Sequence, residues 1–334
     1  MSSHDNHQPD QYGQSARVRF TSPTDILDIV PALIGFYPTE SLCALYLEDV
    51  PAGRTLALTA RADLPTTADD LTVLLAHTAE MLTRYPLAIL VAYAADQEQA
   101  RDTVREVAQR FGPDRIVTGI IAAPQGWTTV DPLHPAAVQW TNPYPAGTGP
   151  AAAAVAAAGF YAMGTRDDLA DSIAAPDEQT TAEYDRVAIE QSLPHEPTDT
   201  QLEQMAAEVR EFVANYLAQP LTVTVEDAAF LAGRVCFGSP RDAALREIDR
   251  THAHMHAILW QGIAAMTPDD CAAPVLGLLG IAAWVAGNGA LANLALERAH
   301  AYGYFTNHGL LGIAHHVLDN AIPPATWDQL KDGM

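Results

Sequence analysis

The sequence predicts an α/β domain, a mixed sheet with flanking helices, followed by an all-α domain of helical hairpins. Three observations carry this. From Asp69 to Ala122 an amphipathic helix, an apolar strand, a second amphipathic helix and a second strand alternate, which is the order of a βαβ unit. From residue 199 onward the apolar period is helical throughout, punctuated by Pro268, Gly287-Asn288-Gly289 and Pro323-Pro324. The composition, 49% hydrophobic and 18% charged over 334 residues, suits two cores without metal or disulfide support.

The elements follow in order. Residues 1–16 are polar, carry no apolar core segment and are expected as a disordered tail without a secretory signal. Val18 and Phe20 alternate with Arg17 and Arg19 as a short strand. Ser22 caps a helix with Pro23 at its first position and Asp25 placed to reach back. Ile26, Leu27, Val30, Leu33 and Ile34 form its apolar face, and Gly35 and Pro38 end it. Ser41 to Leu47 reads as a strand, and Leu56 to Ala62 alternates as a second strand paired with it in a hairpin. Asp69 to Arg84 is a helix, Leu87 to Tyr93 a strand covered on both faces, Asp96 to Phe111 a helix stopped by Gly112-Pro113, and Arg115 to Ala122 a strand. Gln125 to Pro150 is expected as an edge hairpin or an ordered loop over the sheet, and the alanine run from Ala151 starts a helix to about Met163.

These elements divide the chain into an α/β domain at 17–165, an acidic, proline-containing linker at 166–198 with a helix near Ala182 to Gln191, and an α-helical domain at 199–330. In the last, helices start at Thr198 or Asp199, at Thr224, and at Ser239-Pro240, this one running to Met266. Cys271 to Leu296 contains no charged residue, yet Gly287-Asn288-Gly289 cuts it in two and no basic flank orients it, so it is expected as a buried hairpin. Its small residues, with another helix from Gly309 to Leu318, have the look of a tetratricopeptide-type array.

Charge excludes some functions. With 18 basic against 41 acidic residues the net charge is -23, and the only lysine is Lys331. Nucleic acid and anionic membrane surfaces are therefore poor partners. Cys43, Cys236 and Cys271 form no CxxC pair and are expected as buried free thiols in a reducing cytoplasm. There is no dinucleotide fingerprint, no phosphate-binding loop and no GxSxG elbow around Ser41. No cofactor is expected.

Two constellations could carry chemistry. Arg61 and Asp63 close a strand, with Tyr93 at the end of another, where open α/β sheets place ligand groups, within reach of a cover from the Trp127 to Tyr144 loop; the alternative for Arg61 and Asp63 is a plain ion pair. Asp249, His252 and His256 recur at spacings of three and four on one helix face, close enough to share a metal, although H-E-x-x-H is absent and apolar neighbours suit ordinary packing. Trp260, Trp284 and Trp327 are expected in the core.

The chain resembles the bacterial family known as domain of unknown function 4192. In the first domain the resemblance rests on Ser22-Pro23, Asp25, Leu27, Val30-Pro31, Leu33, Gly35-Phe36, Pro38, Ser41-Leu42 and Thr59 through Pro65. In the second it rests on Arg241-Asp242-Ala243, His256, Leu259-Trp260, Ala282-Ala283-Trp284 and Glu297-Arg298-Ala299. The family pattern carries cysteines shortly after the position of Trp127, and none stands there in this chain. The resemblance implies the fold and a cytoplasmic protein, and no activity. With no complete catalytic set, the expectation is a non-catalytic interaction or scaffold module with a protein partner or self-association; the alternative is a small-molecule-binding protein or enzyme with its site at the edge of the N-terminal sheet.

Overall fold

A computed structural model describes residues 22–51, 53–124, 126–130, 149–157, 162–304 and 309–333. The tail, the expected strand at 17–20, Trp140 and Tyr144 lie outside the described residues.

Helix α1 (Pro23–Ile34) opens with a reciprocal cap. Ser22 Oγ accepts the Asp25 N–H at 3.2 Å and the Asp25 carboxylate accepts the Ser22 N–H at 3.0 Å, so two amides at the helix start are satisfied. Gly35, at φ +85°, closes the helix and donates to the Pro31 carbonyl at 2.8 Å. The left-handed turn favours glycine, and a Cβ there would stand 2.7 Å from Asn288 Nδ2, so the helical half approaches closely at this point.

Strands β1 (Ser41–Val50), β2 (Gly53–Asp63), β3 (Leu87–Tyr93), β4 (Ile116–Ala123) and β5 (Gly126–Val130) form one mixed sheet in the order β2-β1-β3-β4-β5. Only β3 and β4 are parallel, joined through α3 (Gln97–Phe111) as a βαβ unit; the other neighbours are antiparallel. In the β1–β2 hairpin Tyr46 pairs with Leu58 but Leu47 with Leu56, so Ala57 is an extra residue that bends the edge strand.

Period-two alternation gives the sheet two apolar faces. Leu42, Ala44, Tyr46, Leu90 and Ile121 face α2 (Ala68–Arg84) and α3. Cys43, Leu45, Ile89, Val91 and Ile120 face α1, and this core runs without a break into the helical half as far as Trp327. Helix α4 (Pro150–Ala157) packs on α1, and the expected continuation of the alanine helix reaches residues 158–161, outside those described.

Residues 166–198 are not a linker. They hold α5 (Arg166–Asp171) and α6 (Glu178–Gln191), with Leu169, Ile173, Tyr184 and Val187 in the core. The acidic side chains are the solvated faces of short amphipathic helices, and Thr165 with Asp168 forms a capping box like that at Ser22.

The helical half continues with α7 (Asp199–Ala218), α8 (Val225–Val235), α9 (Gly238–Glu247), α10 (Ala253–Met266), α11 (Ala273–Val285), α12 (Gly289–Ala301), α13 (Gly309–Asp319) and α14 (Trp327–Asp332). The single helix expected from Ser239 to Met266 is broken. Asp249 Oδ1 accepts the N–H of Thr251 at 2.7 Å and of His252 at 2.9 Å, and this local turn outcompetes helix continuation. The uncharged stretch becomes the hairpin of α11 and α12, in which every residue from Val275 to Val285 is buried, as in a helix at the centre of a bundle. No helix among the described residues is long and apolar enough to cross a membrane. All three thiols are free, but only Cys43 is buried, and Cys236 is exposed.

Candidate functional site

Strand register brings one expected group together. Ser41 on β1 pairs with Asp63 on β2 and with Tyr93 on β3, and Tyr93 with Ala122 on β4, so these residues make one row across the carboxyl ends of the parallel strands. That end of an open sheet is where ligands ordinarily sit. The Arg61 guanidinium donates from Nε to Ser41 Oγ at 2.9 Å, meets Asp63 Oδ1 at 2.5 Å, and lies 6.0 Å from the Phe36 ring centroid. Ser41 in turn donates to the Thr39 carbonyl at 2.6 Å.

Arg61 is held here by Ser41 and Asp63 together. Ser41 accepts from a cation that cannot take its proton. Burial, opposed by Arg61, pushes the Cys43 thiol up to about 12, so the sulfur beside Arg61 stays protonated and inert.

Arg61 also reaches a cleft of about 520 Å³ between the sheet and the helical half, which Asp63 and Tyr93 do not line. One wall is β2, the edge strand, contributing every residue from Leu56 to Arg61. Successive side chains of a strand point to opposite faces, so six in a row can line one cleft only where the strand presents its edge. The opposite wall comes from the α11–α12 turn, α12, and the end of α13 with its following loop, including Trp284, Asn293, Leu318 and Ile322. Trp284 is oriented by its indole N–H, which donates to the Ile322 carbonyl at 2.8 Å.

The charges in the cleft balance. Arg166 makes two hydrogen bonds to Glu297, at 2.6 and 2.7 Å, and Asp319 meets the His315 ring at 2.9 Å. The cleft is thus a slot of mixed polar and apolar lining beside a strand edge, with Arg166 and Glu297 already paired.

The chain matches the family model described as Domain of unknown function (DUF4192) over residues 23–325. It belongs to that family. Comparison with curated proteins and with solved structures gave no match. The DUF4192 match spans both walls of the cleft, from Leu33 to Pro324.

The second expected constellation does not assemble as a metal site. His252 Nδ1 lies 3.0 and 3.2 Å from the Asp249 carboxylate oxygens. Burial works against the Asp249 charge, but hydrogen bonds from the His252 ring and amide hold its carboxyl below the usual range. His256 is fully buried, and that burial, opposed by Asp249, pushes its ring down to about 4, leaving a neutral imidazole in the core. Among the described residues no group of three His, Cys, Asp or Glu side chains is placed to hold a metal ion. The break between α9 and α10 removes the common helix face on which the spacing argument depended.

The tryptophans Trp260, Trp284 and Trp327 are buried. Two features lie outside the expected site residues: the cleft itself, and Arg298. The latter donates to the carbonyls of Ile173, Ala264 and Thr267 at 2.7, 2.7 and 2.8 Å and to Asp269 Oδ1 at 2.9 Å. Its signal was available: Glu297-Arg298 is the first charged pair after an uncharged stretch beginning at Cys271, and a charge bordering a buried helix needs partners.

Proposed function

We propose that the chain is a non-catalytic, cytoplasmic protein-interaction module that takes an extended peptide segment along β2, the edge strand among the described residues, inside the cleft. The carrying observation is the run Leu56 to Arg61, six consecutive edge-strand residues lining one charge-balanced slot of mixed polar and apolar character. A strand edge supplies N–H and C=O groups in ladder spacing, which an extended backbone can pair and a compact metabolite uses poorly.

Magnitudes set what the peptide must contain. A short added strand gains about 0.5–1.5 kcal/mol per backbone hydrogen bond, while association costs about 4–15 kcal/mol. A ladder of a few bonds therefore does not suffice, and apolar side chains at alternate positions must reach the walls formed by Leu33, Trp284 and Ile322. The reading treats the helical half as a tetratricopeptide-like array serving as the second wall. In support, α11 and α12 form an antiparallel pair and α13, which packs on α11, begins at residue 309, 36 residues after the start of α11 at 273.

Seven-residue peptides with alternating apolar side chains, titrated against isotope-labelled full-length protein, test this. Saturable shifts in the amides of Leu56 to Arg61 are expected, and Asn293→Trp, a substitution at an exposed cleft position, should abolish them without lowering the melting temperature. If small fragments fill the cleft while no peptide of the set perturbs β2, the peptide reading is wrong and a small-molecule site takes its place.

A further inference from the structure

A second cavity, of about 390 Å³, lies between α9, α13 and α14, and its charge is opposite to that of the chain. Its ionic lining is Arg241, Arg246 and Lys331 against Asp242 alone, three positive charges and one negative, in a protein of net charge -23. Its floor is apolar, from Leu245, Leu310 and Ile313.

The cations are not used up by their neighbours. Arg241 contacts Asp242 Oδ1 through Nε at 3.3 Å and Nη2 at 3.1 Å, leaving Nη1 for another acceptor. Neither Arg246 nor Lys331 has a carboxylate partner among the described residues. Lys331 Nζ donates one hydrogen bond, to the Ile248 carbonyl at 3.1 Å, and that same carbonyl receives the indole N–H of Trp327 at 2.9 Å. The ammonium is thus fixed to the end of α9 by a buried tryptophan's partner, with two donors to spare. Holding the only lysine in this way removes ordering cost that a ligand would otherwise meet.

The overall negative charge does not cancel the pocket. At physiological ionic strength charges are screened over about 8 Å, so an anion inside experiences mainly the lining groups, and the rest of the chain slows its approach.

We infer that this cavity binds a small organic anion, one with a phosphate or carboxylate head between Arg241, Arg246 and Lys331 and an apolar body on Leu245, Leu310 and Ile313. Guanidinium forks match both head groups, and an apolar floor selects against a bare inorganic ion. The site is separate from the β2 cleft and does not depend on the peptide reading.

Lys331 provides the readout. Biosynthetic ¹³C,¹⁵N labelling of lysine places one side-chain signal on the only lysine of the full-length protein while keeping its charge and all three donors. Phenyl phosphate, phenylacetate, inorganic phosphate and neutral benzyl alcohol are then titrated separately. A saturable shift with either organic anion, at least about tenfold tighter than with inorganic phosphate and absent with benzyl alcohol, is expected; which head binds tighter identifies the ligand class. Arg246→Gln, at an exposed position, should weaken the preferred probe by about tenfold or more with an unchanged thermal melt. Equal responses to benzyl alcohol and the anions, no saturable response, or unchanged affinity in Arg246→Gln would overturn the assignment.

Discussion

His256 and Trp260 stand four residues apart on α10, both fully buried; Trp260 Nε1 lacks a hydrogen-bond partner among the described residues, and the His256 ring has only the Glu247 backbone carbonyl, in poor geometry. An unsatisfied buried group costs about 1–3 kcal/mol, and protonating the His256 ring in this apolar setting adds the cost of a buried charge. The His256 ring titrates near 4 in the folded chain against 6.5 for an unperturbed histidine, and burial is the main cause. The unfolded chain therefore binds the extra proton first. Stability from this residue is whole above about pH 6.5 and falls as pH drops toward 4, by about 3 kcal/mol in all. Urea denaturation of His256→Leu across this range should give a flatter pH profile and higher stability at pH 7.5. An unchanged slope between pH 6.5 and 4 would show that another group carries the acid sensitivity. The residue scale also explains why the histidine spacing misled: three residues in the i, i+3, i+7 pattern share a face only if the helix is unbroken, and Asp249 breaks it by binding two amides.

At the scale of elements, caps were the most legible feature. Ser22, Thr198 and Thr224 each accept a hydrogen bond from the amide three residues on, and each stands where the sequence places a helix start. Thr165 and Asp168 carry the same signal, but the acidic composition of the region points to a linker with one helix near Ala182 to Gln191, which leaves α5 unexpected. Composition reports which side chains meet water, whereas the few core residues Leu169, Ile173, Tyr184 and Val187 decide packing. Glycines in α11 show how the central helix is accommodated. A Cβ on Gly277 would lie 2.6 Å from the Leu310 Cβ and 3.3 Å from Leu310 backbone, and one on Gly280 would lie 3.1 Å from the Ala314 Cβ. Gly277→Ala should therefore cost about 1–3 kcal/mol through overpacking against α13. Gly289→Ala, where the nearest atom would be 3.9 Å away, is the control and should not destabilise. Equal urea midpoints for the two variants would mean that α11 and α13 separate freely.

The whole molecule has one continuous core joining α1, the inner sheet face and the helical half. Bonds between distant segments follow the same line: Arg166 to Glu297, the Arg84 guanidinium to the Asn320 carbonyl, Gln261 Nε2 to Ser172 Oγ at 2.7 Å, and Arg298 to the Ile173 carbonyl. A fragment of residues 22–198 keeps α1 but uncovers the part of this core that continues into the helical half, so it should show no cooperative thermal transition and should bind a hydrophobic dye. A sharp two-state melt of that fragment would instead establish an independent first domain. What the sequence by itself determined were the pieces: the capped helices, the β1–β2 hairpin, the βαβ order, and a buried, uncharged hairpin. Each rests on residues within a few turns or strand repeats of one another, where period and capping chemistry act locally. Only the tertiary structure decided where the cavities lie. Arg61 meets the cleft formed with Asn293, and Arg241 shares a pocket with Lys331, because packing across the core brings them there, and no local period encodes contacts between such distant positions.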